Sequence, residues 1–416
     1  MVRVAVPRRL LLLLLTLTLL LGCQSAATSR PGVEVAGMPL SSLRREPVVR
    51  VRIISGAATV RLAGAAQLRI AGYNYTSPVT IVRQAGKFLL HPPDSGWLAV
   101  SADSLVIEPA AGDSLSVNDQ DLPGTVVLHA NTTDVRFDVI NHVAMERYLP
   151  GVLDKELYAS WHPRMFEAQA IAARSYAIAQ MGKTRQRAYD MQATTASQVY
   201  GGTTRNAKAL AAVAATRGKV LAWDGLVFPA YFSSSSGGTG QDAILAMKDA
   251  MDIPPLRGKY HGGWSAASPR YRWTIVRDRQ DLSRRLAAWG QSNRHAVAGL
   301  RDLTGIAVTS SNSAGRPTRF TLSDASGSRY VMGPEDFRFA ANHGGAGLPP
   351  LAANAQLYSS HVEVRLEGNT VHFAGRGHGH GVGLDQWGAQ AMAQAGHSPE
   401  AILAFYYPGA SILAAY

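Results

Sequence analysis

The segment PRMFEAQAIAARSYAIAQM, from Pro163 to Met181, limits the fold of this chain more than any other. Proline is tolerated in a first helical turn, so Pro163 can open a helix. Met165, Phe166, Gln169, Ala172, Ala173 and Tyr176 then recur at three-to-four spacing. Ala168, Ala170, Ala172, Ala173, Ala177 and Ala179 present so little side chain that neighbouring backbones can approach closely. Such a helix belongs inside a body, where Gln169 and Arg174 must find hydrogen-bond partners or line a polar cleft. Just ahead of it, YLPGVLDKEL sets Glu156 in a Gly/Pro-flanked stretch that reads as a turn. Taken alone, Glu156 reads as a solvated surface carboxylate before it reads as a functional one.

The preceding region has a different period. VVRVRII, ATVRLAG, FLLH, WLAVSA, SLVIEP, TVVLHA and DVRFDVI are short alternating runs broken by Gly, Asn, Asp and Pro, the pattern of antiparallel strands over 48–138. Beyond the central helix, further helices are expected at Ala207–Arg217, Leu282–Trp289 and Gln386–Ala395. Strands are expected at Lys219–Trp223, Val227–Ser233, Ile306–Ser310, Arg319–Leu322 and Val362–Leu366. No repeat of solenoid or propeller period occurs. The fold class expected is α+β, a β-rich N-terminal region followed by a mixed helical and β region over 139–416.

The N-terminus points to export. Arg3, Arg8 and Arg9 precede an apolar run from Leu10 to Leu21 that ends in Gly22-Cys23, the pattern of a lipoprotein signal over 1–22. The run is short of the about 20 residues a spanning helix needs. Cys23 is the only cysteine, so it is expected to carry lipid, and disulfides contribute nothing to the fold. Residues 23–47 then form a tether, and Gln24 suits outer-membrane sorting if the cell is Gram-negative. The formal charge of +12 includes the three leader arginines, leaving +9 on the processed chain. A basic surface suits an anionic polymer or lipid headgroups, or merely solubility. Export and the lack of a reading motif argue against nucleic acid.

Several motifs follow one another in a fixed order: NHVAMERYLPGV from Asn141, GVLDKEL, SWHP and EAQAIAARSYA. Downstream come TTASQVYGG from Thr194, AYFSSSSGG from Ala230, GRGHGHGVGLDQWGAQAMA from Gly375 and FYYPGA from Phe405. This ordered set resembles the SpoIID/LytB family, the sporulation stage II protein D and amidase-enhancer proteins of bacterial cell walls. The resemblance runs from about Val139 to the C-terminus, with a poorly matching, insertion-like stretch at about 251–371.

The resemblance implies a lytic transglycosylase that cleaves the glycan backbone of peptidoglycan strands already stripped of stem peptides, in wall remodelling, division or a sporulation-like process. Glu156 falls on the family's catalytic glutamate, which should be partly desolvated to hold a proton near neutral pH. No cofactor is implied. Arg174 falls on the family's arginine and can orient Glu156, bind a muramyl lactyl group, or form a buried structural salt bridge. Gln169, Gln198 and Tyr200 match the helix glutamine and the QVY element, where they contact sugar or simply pack. Tyr231 and Ser236 belong to the family's Ser-Gly-Gly turn, which lacks the elbow of a serine nucleophile. His380 and Gln386 lie on the glycine-rich loop, His380 contacting substrate or Glu156, or serving structure alone.

Other readings of these motifs are weaker. His378 and His380 lack further ligands at metal-site spacing, and MQATTAS replaces the Cys and His that hold zinc in some relatives, so no metal is expected. Glu167 replaces a common lysine, Asp385 a common serine, and Tyr158-Ala159 a Pro-containing turn. These departures keep open a second function, a glycan-binding amidase enhancer that stimulates a partner N-acetylmuramoyl-L-alanine amidase without cleaving.

Overall fold

The computed structural model describes residues 37–416, apart from 65, 111–113, 132–134, 249 and 346. The leader, Cys23 and most of the tether lie outside the described residues. Among those described, no helix is long and apolar enough to cross a membrane.

The fold is α+β. Alternation decides the N-terminal region: Val60 and Leu62 in Thr59–Ala63 point inward, as do Leu68 and Ile70 in Gln67–Ile70, while their neighbours face solvent. The strands form two sheets. One has six strands, in the order Gln120–Pro123, Ser114–Val117, Thr59–Ala63, Val79–Gln84, Lys87–His91 and Leu98–Val100. The other has seven, in the order Met191–Gln192, Val48–Ala57, Phe137–Ala144, Thr125–Ala130, Ser104–Pro109, Gln67–Ile70 and Tyr73–Thr76. Their apolar faces share one core, and Phe88 of the first meets Phe137 of the second edge-on at 5.6 Å. Strand Met191–Gln192 runs parallel to Val48–Ala57 and returns from the helical region. Beside it Asp190 accepts hydrogen bonds from the Arg50 guanidinium and the Thr184 hydroxyl. The two regions are thereby stitched along one strand edge.

Strand Phe137–Ala144 leads straight into helix α1, Met145–Glu156. Here the structure corrects the sequence expectation of a turn. Tyr148, Leu149, Val152 and Leu153 are buried at helical spacing, and this burial outweighs the cost of Pro150 in the helix interior. Helix α2, Pro163–Lys183, is buried around its whole circumference: every residue from Met165 to Ala179 except Glu167 is inside. It packs against α1, α3 (Ala207–Ala215) and strand Lys219–Trp223. A short α4 spans Ala243–Ala246.

The poorly matching stretch builds a second apolar core. Strands Arg272–Asp278, Val362–Glu367 and Thr370–Arg376 form one sheet, and Leu303–Ser311, Pro317–Asp324 and Arg329–Met332 another. Helices α5 (Arg279–Asn293) and α6 (Pro334–Ala341) cover them, with Phe320 stacked on Phe337 at 4.2 Å.

The chain then rejoins the first core through α7, Gln386–Gln394, and α8, Pro399–Tyr406, both packed on α2. The single final helix expected from sequence is thus a pair, the second opened by Ser398, whose hydroxyl accepts from the Ala401 N–H. Likewise the strand expected over Val227–Ser233 is two short ones, Leu226–Val227 and Phe232–Ser233, separated around Pro229.

Candidate functional site

Glu156 closes α1. The chain then leaves the helix through Leu157, whose φ of −122° and ψ of 148° are extended. Glu156 Oε1 accepts the Val199 N–H at 3.0 Å. Burial pushes the carboxyl above its ordinary pKa, and the Val199 N–H and the neighbouring Gln386 side chain offset this only in part. Gln386 is buried, and although it lies close enough to influence the acid, its Nε2 makes no hydrogen bond of proper geometry.

Glycines bring the Val199 loop to Glu156. A Cβ on Gly151 would stand 2.0 Å from the Gly202 carbonyl oxygen, so only glycine lets segment 199–202 lie against α1. The Gly201 N–H donates to the Gly151 carbonyl at 3.2 Å, and Thr203 N–H donates to Asp121 in the β region at 2.9 Å. Gln198 anchors the loop from within. Its Oε1 accepts from Tyr148 Oη at 3.0 Å and its Nε2 donates to the Ala173 carbonyl at 3.2 Å. Tyr200 is also buried, packed on Tyr148 at 4.9 Å with its hydroxyl donating to Asn141 Oδ1 at 3.1 Å. Gln198 and Tyr200 therefore position the Val199 N–H, and their polar atoms are held by protein.

Arg174 does not reach Glu156. Fully buried, it grips Glu146 with Nε to Oε1 at 2.9 Å and Nη2 to Oε2 at 2.8 Å, while Nη1 donates to the Lys219 carbonyl at 3.0 Å. Burial raises the Glu146 pKa, but Arg174, Tyr416 and the Gly218 N–H more than reverse this, leaving it below the ordinary value. Of the readings open in the sequence, the geometry matches the structural salt bridge. Gln169 is fully buried with neither amide atom hydrogen-bonded.

The Ser-Gly-Gly turn and the glycine-rich loop form a second cluster. Strand Phe232–Ser233 pairs in parallel with Leu384–Asp385. Asp385 caps α7 by accepting the Gly388 N–H at 3.0 Å, and its other oxygen accepts Ser236 N–H at 2.9 Å and Ser236 Oγ at 2.7 Å. His261 Nδ1 lies 3.0 Å from the same hydroxyl, and burial drives that imidazole down to about 3. All three groups are buried, and the carboxylate holds the serine instead of the histidine, so this is a brace and not a nucleophilic triad. Asp385, a departure from the family pattern, is what ties the turn to the start of α7 and so to Gln386.

His380 is likewise turned to the backbone. Its Nδ1 accepts the Val382 N–H at 2.9 Å. Burial takes its pKa down to about 4, although the residue as a whole is only half-buried. The Nδ1 atom is thereby engaged by the loop's own backbone. Tyr231, nearly buried, packs edge-on against Tyr176 at 5.7 Å and lies 6.2 Å from His380. Among the described residues, no group of three or more His, Cys, Asp or Glu is placed to hold a metal ion.

One residue of this cluster gave no sequence signal. Arg316, at the tip of the hairpin formed by Leu303–Ser311 and Pro317–Asp324, is fully buried between the turn and the loop. Its Nη1 donates to the carbonyls of Ser236 and Thr239 at 2.9 Å each, and its Nη2 to that of His380 at 3.0 Å. Burial lowers its pKa to about 10. The stretch that resembles the family poorly thus pins two loops that lie outside it. A second missed feature is aromatic: Tyr158, Trp161 and Trp387 stand together beside Glu156 and Gln386. Trp161 and Trp387 lay inside the motifs SWHP and DQWGAQ, where nothing in the local pattern marked them as neighbours.

The chain is similar in sequence to known proteins across this region. The stage II sporulation protein (SpoIID) family model matches residues 133–223, which span α1, α2 and the Val199 loop. The amidase enhancer of Bacillus subtilis is 28% identical over 297 residues, covering 64% of this chain but only 40% of that relative. An uncharacterized protein of Brachyspira hyodysenteriae is 29% identical over 66% of this chain and 68% of its own length. Stage II sporulation protein D of Bacillus subtilis is 26% identical, covering 66% of this chain and 75% of the relative.

Proposed function

From the premise that this chain belongs to the SpoIID/LytB family, we propose that it is a peptidoglycan lytic transglycosylase acting on denuded glycan strands, with Glu156 as sole acid and base. The observation carrying this reading is the carboxyl at the end of α1, held toward its protonated form by burial and fixed by the Val199 N–H. Ordinary glycosidases need a second carboxylate for water or as nucleophile. Here the acids nearby are engaged elsewhere: Glu146 by Arg174, Asp154 by Asn206 Nδ2, and Asp385 by Ser236 and Gly388.

A lytic reaction does without a second acid. Glu156 gives its proton to the glycosidic oxygen as the bond to the muramyl anomeric carbon breaks. The muramyl 6-hydroxyl then closes on that carbon and returns its proton to the carboxylate, giving a 1,6-anhydro end and restoring the acid. Gln386, buried beside Glu156, acts on the acid itself and opposes the upward shift that burial gives its pKa. The site sits on a protein tethered through a lipidated Cys23 and exposed to the periplasm or wall, at the outer membrane in a Gram-negative cell.

Mass spectrometry of amidase-stripped strands incubated with the native protein and with Glu156→Gln tests the reading. Anhydromuramyl ends from the native protein alone are expected; their absence overturns it. The similarity to the amidase enhancer favours a second reading, glycan binding that stimulates a partner amidase. Strands left intact but co-sedimenting with both proteins would select it.

A further inference from the structure

Tyr158 is 61% exposed and lies two residues beyond the half-buried Glu156. It follows Glu156 by two residues in extended chain, so the two Cα atoms are separated by at most about 7 Å, the scale of one pyranose ring. Its ring lies 5.3 Å from Trp161 and 6.0 Å from Trp387, which themselves meet edge-on at 5.3 Å. Trp161 is 6% exposed and Trp387 half-buried, so the tryptophans act as backing and the tyrosine as the open face.

The backing is rigid. Lys208 Nζ donates to the carbonyls of Ala159 and Trp161 at 2.9 and 2.8 Å, Trp161 N–H donates to the Tyr158 carbonyl at 2.9 Å, and Trp387 N–H donates to Ser234 at 3.1 Å. Trp387 also directly follows Gln386, the other side chain beside Glu156. A fixed, exposed ring joined on both sides to the acid's own neighbours has the form of a sugar platform. An aromatic face takes the apolar C–H face of a pyranose, while the ring's polar edge stays wet.

We infer that Tyr158, backed by Trp161 and Trp387, is a stacking subsite for the N-acetylhexosamine ring adjoining the bond at Glu156. This rests on the proposed glycan-cleaving reading, and it assigns the Tyr158-Ala159 departure to substrate grip instead of lost function. The subsite needs a flat aromatic surface, not the phenolic hydroxyl.

The test is binding of amidase-stripped glycan strands and of β-1,4-linked N-acetylglucosamine oligomers to the full chain carrying Glu156→Gln, so that nothing is cleaved. Adding Tyr158→Ala is expected to weaken binding about tenfold, whereas Tyr158→Phe retains it. With Glu156 intact, Tyr158→Ala is expected to raise KM by a similar factor and leave kcat near its native value. Because the side chain is exposed, an unchanged melting midpoint verifies that the variant is folded. Equal binding by the Ala variant and its parent overturns the subsite alone. No binding by the parent overturns the subsite and the glycan-cleaving reading together.

Discussion

Arg174 lies outside the proposed catalytic site and is held by Glu146. Arg174→Ala removes two hydrogen bonds to Glu146, at 2.9 and 2.8 Å, and one to the Lys219 carbonyl at 3.0 Å. The guanidinium is 0% exposed and the Glu146 side chain 7%, so solvent screens the pair little and the partner is left as a buried charge. Breaking such a pair costs about 3–5 kcal/mol. For a cooperative body of roughly 380 residues, with an unfolding entropy of about 0.8 kcal/mol/K, that is about 4–6 °C in melting temperature. The pH dependence has a definite sign. The folded-state pKa of Glu146 is held below its unfolded value, so the pair's stabilisation is full above the ordinary glutamate range and fades as pH falls through the lower, folded pKa. The deficit of Arg174→Ala is therefore expected to be largest at pH 7 and to narrow in acid, read by urea unfolding followed through tryptophan fluorescence. A paired apolar replacement, Arg174→Met with Glu146→Leu, is expected to recover most of the loss. At permissive temperature Arg174→Ala should retain glycan cleavage within a few-fold. An Arg174→Ala protein of native stability that no longer cleaves would refute the structural assignment.

Other perturbations test the rest of the site. Because burial raises the Glu156 pKa, its ionisation opposes folding as pH rises through that value, so Glu156→Gln should raise the urea midpoint at pH 7–8 but not at pH 4. The proposed glycan cleavage should fall on the alkaline side as the same group loses its proton, a limb that a pH profile of kcat/KM would show. Gly151→Ala places a methyl 2.0 Å from the Gly202 carbonyl. It should destabilise by at least about 1–3 kcal/mol and, by moving the Val199 N–H off Glu156, lower kcat in steady-state assays more than it raises KM. Arg316→Ala leaves the Ser236, Thr239 and His380 carbonyls without their donor, each at a cost of about 1–3 kcal/mol. Faster hydrogen exchange confined to segments 236–241 and 379–384 should report it.

The sequence by itself determined the local elements and the chemistry on offer. Alternating apolar residues at Val60, Leu62, Leu68 and Ile70 dictate two-faced strands, and the alanines of α2 dictate a close-packed central helix, because both patterns rest on periods of a few residues. Ordered motifs likewise made the family legible and singled out Glu156. Tertiary structure alone decided which of these groups meet. Pro150 and Gly151 suggested a turn, but burial of Tyr148, Leu149, Val152 and Leu153 kept the chain helical up to Glu156. Arg174 lies on the same helix as the motif residues, yet its nearest carboxylate is Glu146, because helical rotation and the fold of α1 determine what it faces. Gln386 is 230 residues beyond Glu156 and stands beside it because Asp385, braced by Ser236, starts α7 there. Arg316 pins those loops from a region that matches the family poorly. Spacing along a chain fixes what a residue can do locally; contacts across hundreds of residues are settled only when both apolar cores close and every buried polar group must find a partner.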